Sequence, residues 1–420
     1  MTKSSVTHNL KKKLPSELIN LLRLAIREAG GKNQHLYLVG GVVRDLLLGI
    51  TNLDLDIVVE GDALTLAKKL AQTKQAKLKL HPRFATATIH WNNWRVDIAT
   101  ARTEIYDKPG TLPNIVPGTI YDDLKRRDFT INAMAINLNP NHYGELLDPY
   151  GGINDLNKKF IRIIHNNSFT DDATRIWRGL RYEQRLNFEI EAKTLRLLKR
   201  DVPMINTISS DRLRNELELV LKENYPEKIF ERAYRLKLLH QIQPSLKADL
   251  WLIRRFNKIR DLHNSGLTSS LFTSLYFALL SYRLTVTELE YFIARLRLTK
   301  ILSNRLREVH QVKKHLALLK KPGLAPYQIF QILDKYSQLA IIANLIATDS
   351  VTAQRHLDQF INQLRHIKPL LTGVDLRNMG VTDGSDFRKI ITKLYQARIE
   401  GRVVSKQDEE YFVEHLMTSH

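Results

Sequence analysis

The sequence predicts an α/β head, a mixed sheet with helices, followed by a long all-α region. Two patterns carry that expectation. Through residue 140, short apolar strands alternate with helical segments; from about residue 155 onward the apolar spacing is almost entirely helical. At 420 residues, 43% of them hydrophobic, the chain is long enough for more than one domain with ample core.

The elements follow in order. Residues 15–29 read as an amphipathic helix ending at Gly30-Gly31. Residues 36–39 form a short apolar strand, 42–48 a helix and 54–59 a second strand. Asp62 is placed to cap a helix over 63–71. Residues 86–90 and 94–99 alternate on either side of Asn92-Asn93, the pattern of a β-hairpin. Residues 103–121 hold Pro109, Gly110, Pro113, Pro117 and Gly118. They read as a loop too long to be a plain connection, which points to function. There is no internal repeat, low-complexity tract or heptad run.

Composition narrows the class of protein. No run of about 18 apolar residues exists, so no membrane span is expected. Residues 1–13 are charged and lead into no apolar segment, unlike a signal peptide. Cysteine is absent, which excludes disulfides and thiolate metal sites and suits a reducing, cytoplasmic setting. Lys and Arg number 64 against 44 Asp and Glu, a net charge of +20. Such an excess favours a polyanion, nucleic acid foremost, through counterion release.

The chemistry concentrates in Gly40-Gly41-Val42-Val43-Arg44-Asp45 and Asp54-Leu55-Asp56. Strand residues two apart share a face, so Asp54 and Asp56 project together while Leu53, Leu55 and Ile57 face the core. Two carboxylates that close repel unless a cation lies between them. Mg²⁺ prefers carboxylate oxygen and bridges to phosphates, so the pair is suited to a metal-bound nucleoside triphosphate. Asp97, in Arg95-Val96-Asp97-Ile98, is either a third catalytic carboxylate or a partner for an arginine. Gly40 and Gly41 let the backbone turn and bring N–H groups close to phosphate. Arg44 has the fork to bind phosphate oxygens. In Lys125-Arg126-Arg127-Asp128-Phe129-Thr130-Ile131-Asn132-Ala133, Asp128 is expected to cap a following helix. Arg127 then stands at its mouth, within reach of a phosphate or sugar.

These strings, with Asp148-Pro149-Tyr150-Gly151-Gly152 and Asp171-Asp172-Ala173-Thr174-Arg175-Ile176-Trp177-Arg178-Gly179-Leu180-Arg181-Tyr182, resemble the class II tRNA nucleotidyltransferase and bacterial poly(A) polymerase family of the polymerase-β-like superfamily. The resemblance is dense from about residue 36 to 220. It implies a nucleotidyltransferase head at 1–150, a helical neck with nucleotide-selecting residues at 151–240, a body at 241–350 and a tRNA-binding tail at 351–420. It implies Mg²⁺-dependent transfer of CMP or AMP from CTP or ATP to an RNA 3′ end, with release of pyrophosphate. By position, Asp54 and Asp56 would bind metal. Gly41, Arg44 and Arg127 would contact the nucleotide from the head, and Asp172, Arg175, Arg178 and Arg181 from the neck. The family commonly has Glu where this chain has Asp171.

The neck residues also make chemical sense. Arg175, Arg178 and Arg181 are three apart, a helical stripe about 120° wide that starts at Asp172. Cytosine and adenine each offer an amino donor beside a ring acceptor. An aspartate and an arginine therefore admit both and reject uracil and guanine. Asp211, after Ser209-Ser210, reads as an N-cap. Within the family, a full-length loop over 103–121 is a mark of enzymes that add the terminal A rather than CC only. Leu371-Thr372-Gly373-Val374-Asp375-Leu376 resembles the family's tail, where a helix near Ser385 and the cations from Lys389 to Lys406 would face RNA. No His-Asp pair marks an added phosphohydrolase domain. The expectation is a CCA-adding or A-adding enzyme acting on tRNA. The alternatives are a poly(A) polymerase and, in another class, a non-catalytic RNA-binding protein with a silent head.

Overall fold

The computed structural model describes residues 10, 12–30, 34–108, 110–111, 113–262, 268–381 and 384–418. The charged stretch before residue 10, Gly31 and Pro109, named above, lie outside the described residues. The chain forms two compact units, Met1–Gln241 and Ile242–His420.

In the first unit, helix α1 (Ser16–Gly30) buries Leu18, Leu21, Leu22 and Ala25 along one face. Then come β1 (His35–Val39), α2 (Gly41–Leu47), β2 (Asp54–Glu60) and α3 (Ala63–Lys74). Asp62 caps α3 as expected, its side chain accepting from Thr65 N. Strands β3 (Lys77–His81), β4 (Thr86–Trp91) and β5 (Trp94–Thr100) follow. The β4–β5 hairpin pairs Trp91 with Trp94, and Asn92 takes φ 52° at its turn.

Next come β6 (Arg102–Ile105), β7 (Asn114–Pro117), α4 (Ile120–Lys125), β8 (Ala135–Asn137) and β9 (Leu146–Leu147). The main sheet has seven strands in the order β3-β4-β5-β2-β1-β8-β9. Only β2 and β5 run parallel; the other neighbours are antiparallel. Strand β2 is thus central, with Leu55, Ile57 and Val59 buried, and its Asp54 end opens to solvent.

Two expectations for residues 103–140 are corrected. The segment read as a loop contains a two-stranded ladder, β6 against β7, ending on Arg102↔Pro117. No α-helix follows Asp128. The chain makes one 3₁₀ turn, Thr130–Asn132, and passes into β8. The Asp128 carboxylate takes Phe129 N and Asn132 Nδ2 at 2.9 and 3.0 Å, so it closes a local turn instead of capping a helix.

The helical part of this unit comprises α5 (Gly152–Lys158), α6 (Ser168–Asp171), α7 (Thr174–Arg185), α8 (Ala192–Asp201), α9 (Ser210–Leu221) and α10 (Pro226–Arg235). A short parallel pair, β10 (Phe160–Ile161) with β11 (Glu189–Ile190), interrupts it. Helix α7 is central, with Ile176, Trp177 and Leu180 wholly buried against neighbours that include α9 and α10. Ser209, not Asp211, is the N-cap of α9; its side chain accepts from Arg212 N.

The second unit is helical throughout its described residues, from α11 (Leu250–Asp261) to the last helix at Lys406–Thr418. The apolar helix Gln338–Ala347 is buried along almost its whole length. A smaller core gathers Leu371, Leu376, Leu394, Ala397 and Val413. The expected helix after Gly384 spans Ser385–Ile399. Several of the cations expected to face RNA are paired within the unit: Lys406 with Asp375, Arg398 with Glu409 and Arg402 with Glu400. No helix among the described residues is long and apolar enough to cross a membrane.

Candidate active site

The site begins where β1 ends. Gly40 takes φ 76° and ψ −139°, a conformation in which a side chain is strained. A Cβ there would lie 2.9 Å from Arg127 Nη1 and 3.3 Å from Asp56 Oδ2. Gly40 is therefore a spacer that lets the backbone pass between an arginine and a carboxylate. Gly41 opens α2, and the buried Arg44 is fixed one turn on. Its Nε and Nη2 donate to Asp45 at 2.7 and 3.0 Å, and its Nη1 donates to Asn132 Oδ1 at 2.8 Å.

Asp54 and Asp56 lie on β2 and project to one face while Leu55 between them is buried. Asp54 is exposed and Asp56 half-buried. Burial pushes the Asp56 carboxyl up to about 6; the charges of Asp97 and Asp54 add to the rise and Arg127 opposes it. Arg127 is held from behind, its Nη2 2.9 Å from Asp123 Oδ2. Asp123 also takes Arg126 Nη2 at 2.7 Å. Burial alone would raise Asp123, but the two arginines hold it below its ordinary value.

Asp97 stands opposite Asp56 in the parallel β2–β5 register. Its oxygens are engaged, one taking the Thr88 hydroxyl at 2.6 Å and the other Arg95 Nη2 at 2.9 Å. Among the described residues, no three His, Asp or Glu side chains converge as a metal-ligand group. The contact with Arg95 is the arginine partnership open to Asp97 from sequence, and its position opposite Asp56 keeps it beside the carboxylate pair.

A cavity of about 430 Å³ extends from Asp54 and Asp56 across Gly40, Gly41, Arg44 and Arg127 to Asp172, Arg175 and Arg178. Asp172 precedes α7 in an extended conformation. Its Oδ1 accepts from Thr174 N, Thr174 Oγ1 and Arg212 Nη2, the last at 2.7 Å. Arg175 is buried, with Nη1 donating to Ser168 Oγ at 2.8 Å and Nη2 to the Arg126 carbonyl at 2.7 Å. Arg178 Nε donates to Asp128 Oδ2 at 2.7 Å. Burial alone would raise Asp128, yet Arg178, with Asn132 and Arg175, brings it down to about 2. Arg181 is not at the cavity wall; it is buried, with Nη1 3.3 Å from Glu216 Oε2.

Several wall or support residues had no individual role read from sequence, though Asp45, Asn132 and Tyr182 stand in the strings quoted above. Asp45, Asp123 and Asn132 hold arginines from behind. Arg212 grips Asp172 and also donates to the Gly110 carbonyl at 3.2 Å. Tyr106, Tyr182 and Arg185 line the cavity. A second cavity, about 390 Å³, holds Thr88, Arg95, Asp97 and His81 and shares Asp56, Arg126 and Arg127 with the first. The two cavities therefore meet at a carboxylate.

The donor set of Asp54 and Asp56 is all oxygen, the chemistry of a hard divalent cation. The upward shift of Asp56 fits as well, because its charge is under-compensated by protein groups alone.

Known proteins similar to this chain point to one family. Residues 36–162 match the Poly A polymerase head domain, and residues 187–250 match the probable RNA and SrmB-binding site of polymerase A. An A-adding tRNA nucleotidyltransferase of Halalkalibacterium halodurans is 32% identical over 95% of this chain and 92% of its own length. One from Geobacter sulfurreducens is 32% identical over 96% of this chain, which spans only 48% of that longer protein. The Thermotoga maritima CCA-adding enzyme, solved in complex with tRNA, superposes with a TM-score of 0.77 at 30% identity, covering 98% of each chain.

Proposed function

The chain belongs to the tRNA nucleotidyltransferase family, and from that premise we propose that it adds CMP or AMP to the 3′ end of tRNA, from CTP or ATP, with release of pyrophosphate. The observation that carries this reading is one cavity with Asp54 and Asp56 at one end, Arg44 and Arg127 along its side, and Asp172 with Arg175 on the neck wall. The family generally uses a divalent metal; we infer Mg²⁺, held by Asp54 and Asp56. When bound, the cation would supply charge neutralisation at the triphosphate and activation of the attacking hydroxyl.

The chain's own residues do the rest. The turn at Gly40-Gly41 leaves room for phosphate against the backbone. Arg44, Arg127 and Arg178 spread positive charge along the cavity and stabilise the developing charge on the leaving pyrophosphate. The second cavity, which meets the first at Asp56, receives the 3′-terminal nucleotide of the RNA, so its hydroxyl approaches the α-phosphorus from the side away from the leaving group. At the neck, Asp172 accepts from the amino group of cytosine or adenine and Arg175 donates to the ring acceptor. Uracil and guanine put a carbonyl oxygen where Asp172 needs a donor, which discriminates by ~1–3 kcal/mol per pair. Arg181, paired with Glu216, braces α7 from within.

Head at 1–150, neck at 151–240, body at 241–350 and tail at 351–420 form the working division in this reading, with the tail on tRNA and the protein in the cytoplasm. The full-length segment over 103–121 and the A-adding names of the relatives favour addition of the terminal A over CC-only activity. The test is incubation with tRNAs ending in the discriminator base, in C or in CC, each offered CTP, ATP or both, and sized on a gel. One to three added nucleotides support the proposal. A long ladder points instead to a poly(A) polymerase, and no incorporation on any RNA refutes it.

A further inference from the structure

One aromatic ring gathers three arginines of the neck and head. Tyr182, on α7, is 8% exposed and lines the nucleotide cavity. Its ring centroid is 5.2 Å from the Arg44 guanidinium, 5.7 Å from that of Arg181 and 5.8 Å from that of Arg178. Arg44 comes from α2, beside the sheet; the other two come from α7 itself. Phe129, in the segment after the Arg126-Arg127 pair, meets the ring edge-on at 5.9 Å and 88° and fixes its plane.

Three guanidiniums about one ring repel each other, and each has its own carboxylate: Asp45, Asp128 or Glu216. A further carboxylate in place of the ring would hold them as well, but it would cancel the positive field that a triphosphate needs. An aromatic face attracts cations through its quadrupole while adding no net charge. It is a way to hold arginines together and leave them electropositive.

We propose that Tyr182 is a positioning residue for the nucleotide, its ring setting the separation between Arg44 of the head and Arg178 of the neck. This rests on the reading of the cavity as the triphosphate site. The triphosphate is common to CTP and ATP, and the base is read elsewhere, at Asp172 and Arg175. Weakening the ring therefore raises KM for both nucleotides by the same factor and leaves KM for tRNA unchanged.

The experiment takes Tyr182→Phe as its reference, because the Tyr182 hydroxyl also accepts from Arg178 Nη2 at 3.4 Å, and follows it with mono-, di- and trifluorinated phenylalanines, in the whole chain with Mg²⁺. Fluorine drains the quadrupole at nearly constant shape, so the fold is kept even where Tyr182→Leu would fail. Incorporation into tRNA ending in the discriminator base (CTP) or in CC (ATP) is measured. The expected result is a stepwise rise in nucleotide KM, about tenfold across the series, parallel for CTP and ATP. A flat KM overturns the proposal, as does a rise for one nucleotide alone. A wild-type protein that incorporates neither nucleotide refutes the reading of the cavity instead.

Discussion

Replacing Asp56 with asparagine should make the metal-free protein more stable while it abolishes activity, and the gain should depend on pH in a calculable way. Burial, with Asp97 and Asp54 nearby, lifts the Asp56 carboxyl from the ordinary 3.8 to about 6. Between those values the folded protein holds a proton that the unfolded chain has released. Stability therefore falls as pH rises through that window and levels off above it. A shift of about two units corresponds to about 3 kcal/mol. Asparagine stays neutral, so the two proteins should be equally stable below about pH 3, with the variant ahead by about 3 kcal/mol at pH 7. Urea unfolding in EDTA, followed by tryptophan fluorescence, reads the relevant unit, because Trp91, Trp94 and Trp177 lie in Met1–Gln241 and only Trp251 does not. Adding Mg²⁺ should stabilise the wild type and not the variant. A variant no more stable than wild type at pH 7 would refute the claim that Asp56 is held charged at a cost to the fold.

Three further outcomes are expected. Gly40→Ala should destabilise this unit by about 1–3 kcal/mol by urea titration and cut incorporation more than tenfold, since the new Cβ collides with Arg127; Gly49→Ala, also at positive φ but with nothing within 4 Å, should cost only strain and leave activity intact. Arg175→Ala should narrow the preference for CTP and ATP over UTP and GTP by roughly tenfold or more, measured as kcat/KM ratios, without changing tRNA affinity. Arg181→Ala strands Glu216 in the interior and should cost about 3–5 kcal/mol of stability, while the KM for CTP of the protein that remains folded stays near wild type.

Much of the site is legible in the sequence because strand periodicity is local. The alternation in Asp54-Leu55-Asp56 fixes which face each side chain takes, and the glycine pair announces a tight turn before any contact is known. The hairpin at Asn92-Asn93 is legible for the same reason. What the sequence hides is set by distant partners. Strand β3 alternates, but Lys77 and Lys79 give it no apolar signature, and β8 is three residues long. Asp128 follows cap statistics until Arg178, fifty residues on, takes its free oxygen. Asp97 has the spacing of a third ligand; Arg95, two residues back on the same strand, is a local partner, but only the register against β4 brings Thr88 to it. Arg181 belongs to the same stripe as Arg175 and Arg178. Its exclusion from the cavity depends on Glu216, which only the packing of α9 against α7 brings near.

The central claim is that Asp54 and Asp56 together hold a divalent cation under a bound nucleotide. Anomalous diffraction from crystals soaked with Mn²⁺ and a non-hydrolysable CTP or ATP analogue tests it directly. The account predicts a metal peak bonded to oxygens of both carboxylates, with the triphosphate running past Arg44 and Arg127. A nucleotide bound elsewhere, or a metal peak that touches neither aspartate, would contradict it.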